Sequence, residues 1–172
     1  TFGPDILRGF KKACPLFMDV HLMVEDPETY APIFIKNGAD LVTFHTEALN
    51  NDLTRIQKLL DEIHGLGAKG GIVVKPNTAI EPFESVLKSC DLVLIMSVEP
   101  GFGGQKFMAD MLKKVEWLKE KREALNLSYR IEIGGINQDT FRLALNAGCD
   151  TLVAGSYVFK NDIAKTIEGM LE

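Results

Sequence analysis

The stretch from residue 41 to residue 74 reads LVTFHTEALNNDLTRIQKLLDEIHGLGAKGGIVV. It opens with a short apolar run that predicts a buried strand. In the segment that follows, apolar residues recur every three or four positions with charged residues opposite them, which predicts an amphipathic helix. Glycines come next, and Gly71 begins a second apolar run that ends at Val74. A strand, a helix and a strand in this order predict a βαβ unit with parallel strands.

The same alternation extends along the whole chain. Short runs that are apolar nearly throughout are expected for strands covered on both faces, as in parallel sheets. The pattern therefore fits either a doubly wound sheet or a barrel, in an α/β fold. The predicted strands are 15–24, 41–45, 71–74, 92–97, 130–133 and 151–154, and the predicted helices are 27–36, 52–65, 80–87, 107–125, 138–147 and 162–171. Because no linker or change of composition interrupts these units, a single domain over residues 1–172 is predicted.

Composition excludes several classes of protein. The 172 residues are 46% apolar and 25% charged, with a net charge of −5, so no basic surface for nucleic acid is expected. No apolar run approaches the roughly 20 residues that span a membrane. The three cysteines (Cys14, Cys90 and Cys149) are far apart and predict reduced thiols, as in a cytoplasmic protein.

Two junctions between a helix and the next strand resemble each other. Residues 37–40 read NGAD, and residues 146–150 read NAGCD. Glycine at such a position commonly ends a helix in the left-handed conformation. Gly38 and Gly148 are therefore predicted to be helix C-caps.

Glycines also collect in the loops that follow the predicted strands, where α/β folds bind their ligands. Pro100 to Gln105 holds three glycines, and Gly134-Gly135 and Gly155-Ser156 follow the last two strands. Backbone N–H groups in such loops approach a phosphate closely, and a helix N-terminus favours the anion. Three such loops in one domain predict a phosphate site.

The histidines and methionines near strand ends leave alternatives open. His21 is either a core histidine or a metal ligand or acid/base group. His45 is either a structural residue or a neighbour that supports the site, and His64 is expected on the surface. Met23 and Met96 either pack in the core or form an apolar wall over a substrate.

Three motifs together resemble one family closely. DVHLM (residues 19–23), MSVEPGFGGQKF (96–107) and VAGS (153–156) are similar to the ribulose-phosphate 3-epimerases, and the similarity includes the opening TFGP. The resemblance implies a (β/α)8 TIM barrel of the ribulose-phosphate-binding type, with about six of its eight βα units in this chain. It also implies an isomerase of the pentose phosphate pathway that interconverts D-ribulose 5-phosphate and D-xylulose 5-phosphate through an ene-diolate.

The resemblance further implies a site with one divalent metal ion (Zn, Fe, Mn or Co), for which His21 is a ligand. The expected partner is a small phosphorylated ketose, and a homo-oligomer is possible. Residues implied to bind substrate lie on or after the strands: His21, Met23, Met96, Gly101, Phe102, Gly103, Gly104, Gly134, Gly135, Gly155 and Ser156.

The chain departs from the family pattern in two respects. The family's first two βα units, with the motif H-x-D-x-M-D-G, precede the point where this sequence begins. The family pattern I-E-V-D-G-G-I-N appears here as residues 131–137, IEIGGIN, with the aspartate position missing. Neither of the two acid/base aspartates is therefore present, and residues 1–172 alone are expected to be inactive. Glu132 is expected to point away from the barrel interior.

Two other functions remain open at this stage. A 3-epimerase acting on a ketohexose phosphate such as allulose 6-phosphate would share the same loops. A non-catalytic phosphosugar-binding barrel would fit if the missing aspartates and histidine are absent from the protein itself.

Overall fold

The computed structural model describes residues 2–98 and 107–171. Strands and helices alternate as the sequence predicts, which confirms the α/β class, and the pairings described below are parallel. The strands are β1 Asp19–Leu22, β2 Leu41–His45, β3 Lys69–Val74, β4 Leu92–Ile95, β5 Arg130–Ile133 and β6 Thr151–Leu152. The α-helices are α1 Pro4–Ala13, α2 Pro27–Lys36, α3 Leu53–Gly65, α4 Leu112–Ala124, α5 Phe141–Ala147, α6 Ser156–Phe159 and α7 Ile163–Leu171. Segments of 3₁₀ helix cover Thr46–Leu49, Glu81–Ser89 and Ala109–Met111.

The chain divides into two compact units. The first comprises Thr1–Val73 and Glu81–Val93, and the second comprises Val74–Ile80 and Leu94–Glu172. The division passes through β3 and β4. The second unit therefore contains the carboxyl ends of these two strands, together with β5 and β6.

In the first unit, β1, β2 and β3 are parallel neighbours in chain order. Val42 of β2 pairs with Val20 on one side and Gly70 on the other. Every residue of β2 is buried, as expected for a strand covered on both faces. Ile56 and Leu60 of α3 are fully buried and contribute to this core, each stabilising the fold by roughly 1.5–3 kcal/mol.

Helices α2 and α3 begin at aspartate caps. The Asp26 carboxylate accepts a hydrogen bond from Thr29 N (3.1 Å), and Pro27 occupies the first helical position. Asp52 caps α3 in the same manner, accepting from Thr54 N at 2.8 Å. These signals explain why both predicted helices are found within one residue of their predicted bounds.

The amino-terminal region differs from the prediction. Residues 4–13 form α1, a helix that the sequence analysis did not predict. The strand predicted over 15–24 is confined to β1, because Leu16 and Phe17 lie outside the sheet and are 69% and 57% exposed. An apolar run alone therefore overstated the length of the strand.

In the second unit, β5 and β6 pair in parallel, with Glu132 opposite Thr151. Gly134 N donates to Ile95 O (3.4 Å), and Val153 N donates to Ile133 O (2.9 Å). The helix predicted over 107–125 is divided into a 3₁₀ turn and α4. The four-residue helix α6 was not predicted.

An aspartate before β6 explains the repeated junction sequence. Asp150 Oδ2 accepts from the Ile131 N–H at the start of β5 (2.8 Å) and from the guanidinium of Arg122 in α4. Gly148 ends α5 at φ +109°, and a Cβ there would lie 2.5 Å from Lys119 Cδ. Glycine is thus required by conformation and by space, and its predicted role as a C-cap is confirmed.

The first unit repeats this arrangement before β2 and β4. In each case the carboxylate accepts the N–H of a residue in or just before the preceding strand. It also contacts a side chain from the helix that comes before that strand. Asp40 accepts from Met18 N (2.7 Å) and Lys11 Nζ (2.5 Å), and Asp91 accepts from Gly70 N (2.9 Å) and contacts His64 Nε2 (2.8 Å). His64 is partly exposed, as predicted, but it also bonds to this aspartate.

Candidate functional site

A histidine pair lies at the ends of two neighbouring strands in the first unit. His21 Nε2 of β1 is 3.0 Å from His45 Nε2 at the end of β2. His45 Nδ1 is in turn 3.3 Å from Glu47 Oε2, and the His45 ring is buried. The His21 ring therefore has another imidazole as its hydrogen-bond partner.

The charge state of His21 follows from these surroundings. Burial, and then the charge of His45, lowers the pKa of His21 from 6.5 to about 4, so its imidazole is neutral at pH 7. A carboxylate only accepts hydrogen bonds, so His45 is the donor to Glu47, through Nδ1.

The described residues do not fit a complete metal site. A catalytic zinc site has three protein ligands, whereas His21 and His45 offer two nitrogens. Within residues 2–98 and 107–171, no group of three or more His, Cys, Asp or Glu side chains could hold a metal ion. Met23, another predicted substrate-binding residue in the first unit, follows β1 and is 55% exposed.

The loops after β4 and β5 are joined in the second unit. Ser97 Oγ, fully buried, donates to Gly134 O at 2.5 Å. Gly135 has φ +72°, and a Cβ there would lie 2.6 Å from Ser97 Oγ. Glycine is therefore obligatory at 135 for the protein's own packing. Ser97 ends the strand predicted over 92–97, and no local sequence signal indicates its bond to Gly134.

The loops after β5 and β6 are also neighbours. Ile136 N donates to Val153 O at 3.2 Å. A Cβ added at Gly134 or Gly155 would meet no atom of the described residues within 4 Å. Gly155 has φ −84° and precedes the first turn of α6, so its backbone is not strained. Among residues 2–98 and 107–171, none therefore occupies the space beside these two glycines.

The remaining predicted residues have different positions. Met96 is buried, only 5% exposed, which fits the packing alternative. Gly101, Phe102, Gly103 and Gly104 lie outside the described residues. That all the candidate residues lie at one end of the fold stays a prediction.

Glu132 is a buried carboxylate on β5. It is 3% exposed. Burial first, and more weakly the charges of Asp150 and Glu132, raise the pKa of the Cys149 thiol to about 12. The direction of the Glu132 side chain, away from the barrel interior, stays a prediction.

Cys149 and Cys90 are both buried free thiols, and burial also raises the pKa of Cys90 to about 12. Both thiols are therefore protonated at neutral pH, so the described site has no reactive thiolate from either. Among the described helices, none combines the length and apolarity that a membrane span needs.

Residues 1–159 match the sequence pattern of the ribulose-phosphate 3 epimerase family. The chain belongs to this family. A ribulose-phosphate 3-epimerase of Mycobacterium tuberculosis is 42% identical over 163 residues, covering 94% of this chain and 69% of that protein. One from Aquifex aeolicus is 42% identical over 169 residues, covering 98% and 73%. The chloroplastic ribulose-5-phosphate-3-epimerase of Arabidopsis thaliana is 40% identical over 172 residues, covering 99% and 60%.

Solved structures resemble this member of the epimerase family in fold. A 3-hexulose-6-phosphate synthase matches with a TM-score of 0.74 at 21% identity, covering 98% of this chain and 79% of that one. The 3-keto-L-gulonate-6-phosphate decarboxylase of Vibrio cholerae has a TM-score of 0.75 at 14% identity, covering 98% and 77%. The tryptophan synthase α-subunit of Pyrococcus furiosus has a TM-score of 0.67 at 14% identity, covering 98% and 71%. At these identities the likeness shows the fold, which is of the TIM-barrel type, as predicted.

Proposed function

We propose that this chain forms the substrate-binding part of a 3-epimerase that interconverts D-ribulose 5-phosphate and D-xylulose 5-phosphate. The observation that carries the proposal is the 42% identity over 163 residues to a protein named ribulose-phosphate 3-epimerase. The reaction removes a proton from C3 on one face of the sugar and returns one on the other, through an ene-diolate. The names of the relatives favour the pentulose phosphate over the hexulose phosphate.

The phosphate end of the substrate is assigned to the glycine loops. A Cβ at Gly155 would meet no described atom, which supports this assignment because backbone N–H groups in such loops approach an anion closely. Ser156 begins α6, and a short extra helix after the last strand is a recurrent phosphate site in barrels. The Gly101–Gly104 loop is assigned to the same end from the family motif alone.

The sugar end is assigned to Met23, Met96 and His21. Met23 is exposed enough to cover a ligand, and Met96 is buried just after β4. A neutral His21 donates or accepts a hydrogen bond without placing a positive charge in the site. In this role it would bind and orient the sugar oxygens.

The proposed chemistry also involves one divalent metal ion and a proton transfer. Family resemblance implies one divalent ion, of unassigned identity, whose bound form would polarise the carbonyl next to C3. His21 would be a ligand, but two imidazoles do not complete the site. Glu132 is buried on β5 and is not assigned the proton transfer, because a positioned base must reach the proton that it abstracts.

A binding experiment tests the proposal without requiring turnover. Isothermal titration of residues 1–172 with D-ribulose 5-phosphate is expected to show binding. Gly155→Val should weaken it about tenfold or more, because the side chain fills the space assigned to the phosphate while the backbone tolerates it.

The matched control is Gly9→Val, at a glycine of α1 whose Cβ also meets no described atom. It should bind as the unmodified chain does. Equal affinities of the chain and the Gly155→Val variant would contradict the phosphate assignment, and no binding of the sugar phosphate by the chain itself would contradict the function.

A further inference from the structure

A four-residue turn follows β3 in the second unit. It comprises Lys75, Pro76, Asn77 and Thr78, and Thr78 N donates to Lys75 O at 3.1 Å. Proline in the second position suits such a turn because its ring fixes φ. Pro76 is buried, so one side of the turn packs against protein.

One ammonium group holds three carbonyls of this turn. Lys114 Nζ, from α4, donates to Lys75 O at 3.1 Å, Pro76 O at 2.8 Å and Thr78 O at 2.6 Å. A lysine has three N–H donors, and this arrangement can use all of them. Three carbonyl dipoles directed at one point repel each other unless a cation lies between them. The Lys114 ammonium therefore joins the turn to α4.

The turn lies next to a predicted wall of the site. Val74 O, the last carbonyl of β3, accepts from Met96 N at 3.1 Å. Ser97 follows Met96 and bonds to Gly134, in the loop assigned to phosphate. In barrels, the loops after the strands form the binding site, and the turn is one of these loops.

We propose that Lys114 is a positioning residue for substrate binding, which holds the turn of residues 75–78 beside Met96. This inference rests on the proposed function. The phosphate is assigned to the loops after β5 and β6, whereas the turn adjoins Met96 at the end of β4. Loss of Lys114 should therefore weaken binding of the sugar phosphate and leave binding of inorganic phosphate unchanged.

Two variants serve as matched controls for the removal of Lys114. Arginine keeps the charge, but its planar guanidinium cannot direct three donors from one nitrogen. Lys113 precedes Lys114 in the same helix; its side chain is 79% exposed and pairs only with Asp110, at 3.2 Å, among the described residues. Lys114→Arg should retain part of the affinity for the sugar phosphate, and Lys113→Met should retain all of it.

The test compares Lys114→Met, Lys114→Arg and Lys113→Met with the unmodified chain. Titration calorimetry gives the affinities for D-ribulose 5-phosphate and for inorganic phosphate, and hydrogen exchange by NMR follows the Thr78 amide. In Lys114→Met we expect about tenfold weaker binding of the sugar phosphate. We also expect affinity for inorganic phosphate within twofold, and faster exchange at Thr78 with unchanged exchange at Val115 in the core face of α4.

Unchanged Thr78 exchange and unchanged sugar-phosphate affinity in Lys114→Met would overturn the proposal. Faster exchange at Val115 together with Thr78, or an equal loss of inorganic phosphate binding, would also overturn it, because these would show a general loss of structure. If the unmodified chain does not bind the sugar phosphate, the proposed function fails, and the exchange of Thr78 alone decides whether Lys114 positions the turn.

Discussion

At the scale of single residues, the histidine pair shows how two neighbouring strands make a polar group inside an apolar sheet. His21 is opposite Thr43 in the β1–β2 register, and His45 is two residues further along β2. Residues two apart on a strand face the same side. The rings therefore meet, and each satisfies the other in surroundings that would penalise a charge.

The neutral state of His21 predicts a pH-dependent stability. Its pKa is about 4 in the folded chain and 6.5 as the reference for the unfolded chain. Between pH 4 and pH 6.5 the unfolded chain binds a proton that the folded chain does not bind. The contribution of His21 to the free energy of unfolding is therefore fully present above pH 6.5 and is lost as the pH falls towards 4. The loss attributable to His21 is on the order of 3 kcal/mol.

Urea unfolding of the chain and of His21→Gln between pH 4 and pH 8 checks this. The free energy of unfolding should fall less steeply below pH 6.5 in the variant, which cannot take up this proton. Parallel curves for the two proteins would show that His21 is not the group responsible.

At the scale of elements, three aspartates connect β2, β4 and β6 to the strand that comes before each of them. Asp40, Asp91 and Asp150 stand directly before β2, β4 and β6. Each carboxylate accepts a backbone N–H from a residue in or just before the neighbouring strand, so it fixes the register of a parallel pair at its amino end. In barrels this end contributes to stability, whereas the opposite end binds ligands.

Removal of one aspartate should destabilise the chain without affecting ligand binding. Asp150→Ala leaves the Ile131 N–H and the Arg122 guanidinium without this acceptor, at a cost of about 1–3 kcal/mol in the free energy of unfolding. Asp139→Ala is the control, because the Asp139 side chain is exposed and has no hydrogen-bond acceptor role among the described residues.

Denaturant unfolding of both variants gives the comparison, and titration with D-ribulose 5-phosphate tests the site. Equal stability of Asp150→Ala and Asp139→Ala would remove the structural role assigned to the carboxylate. Weaker ligand binding by the folded Asp150→Ala protein would show that the amino ends of the strands contribute to binding, which would contradict the role assigned to them.

At the scale of the whole molecule, the catalytic groups are the point at issue. The described residues bring together two imidazoles, and the aspartate that the family pattern has before Gly134 is missing from the sequence. Proton transfer by a positioned acid or base typically contributes about 10²–10⁴-fold to the rate. A polypeptide of residues 1–172 should therefore exchange the C3 proton slowly, and it should bind Zn²⁺ weakly.

The measurement is ¹H NMR of D-ribulose 5-phosphate in D₂O with added Zn²⁺, Mn²⁺ or Fe²⁺. The comparison protein carries an Asp inserted between Ile133 and Gly134, joined to the preceding part of the Aquifex aeolicus relative. Only the comparison protein should form D-xylulose 5-phosphate at an enzymatic rate. Comparable turnover by residues 1–172 would mean that other side chains perform the proton transfer.

The sequence by itself determined the α/β class, most element positions and the family, because periodicity, helix caps and specific loop motifs are local signals. Gly148 is an example, since a helix must end where its backbone turns left-handed. Only the tertiary structure decided which side chains meet across long separations in the chain. The contact of His21 with His45, the bond from Ser97 to Gly134 and the three bonds of Lys114 each join different segments. Such contacts depend on register and packing between strands and helices, and no local pattern of residues encodes them.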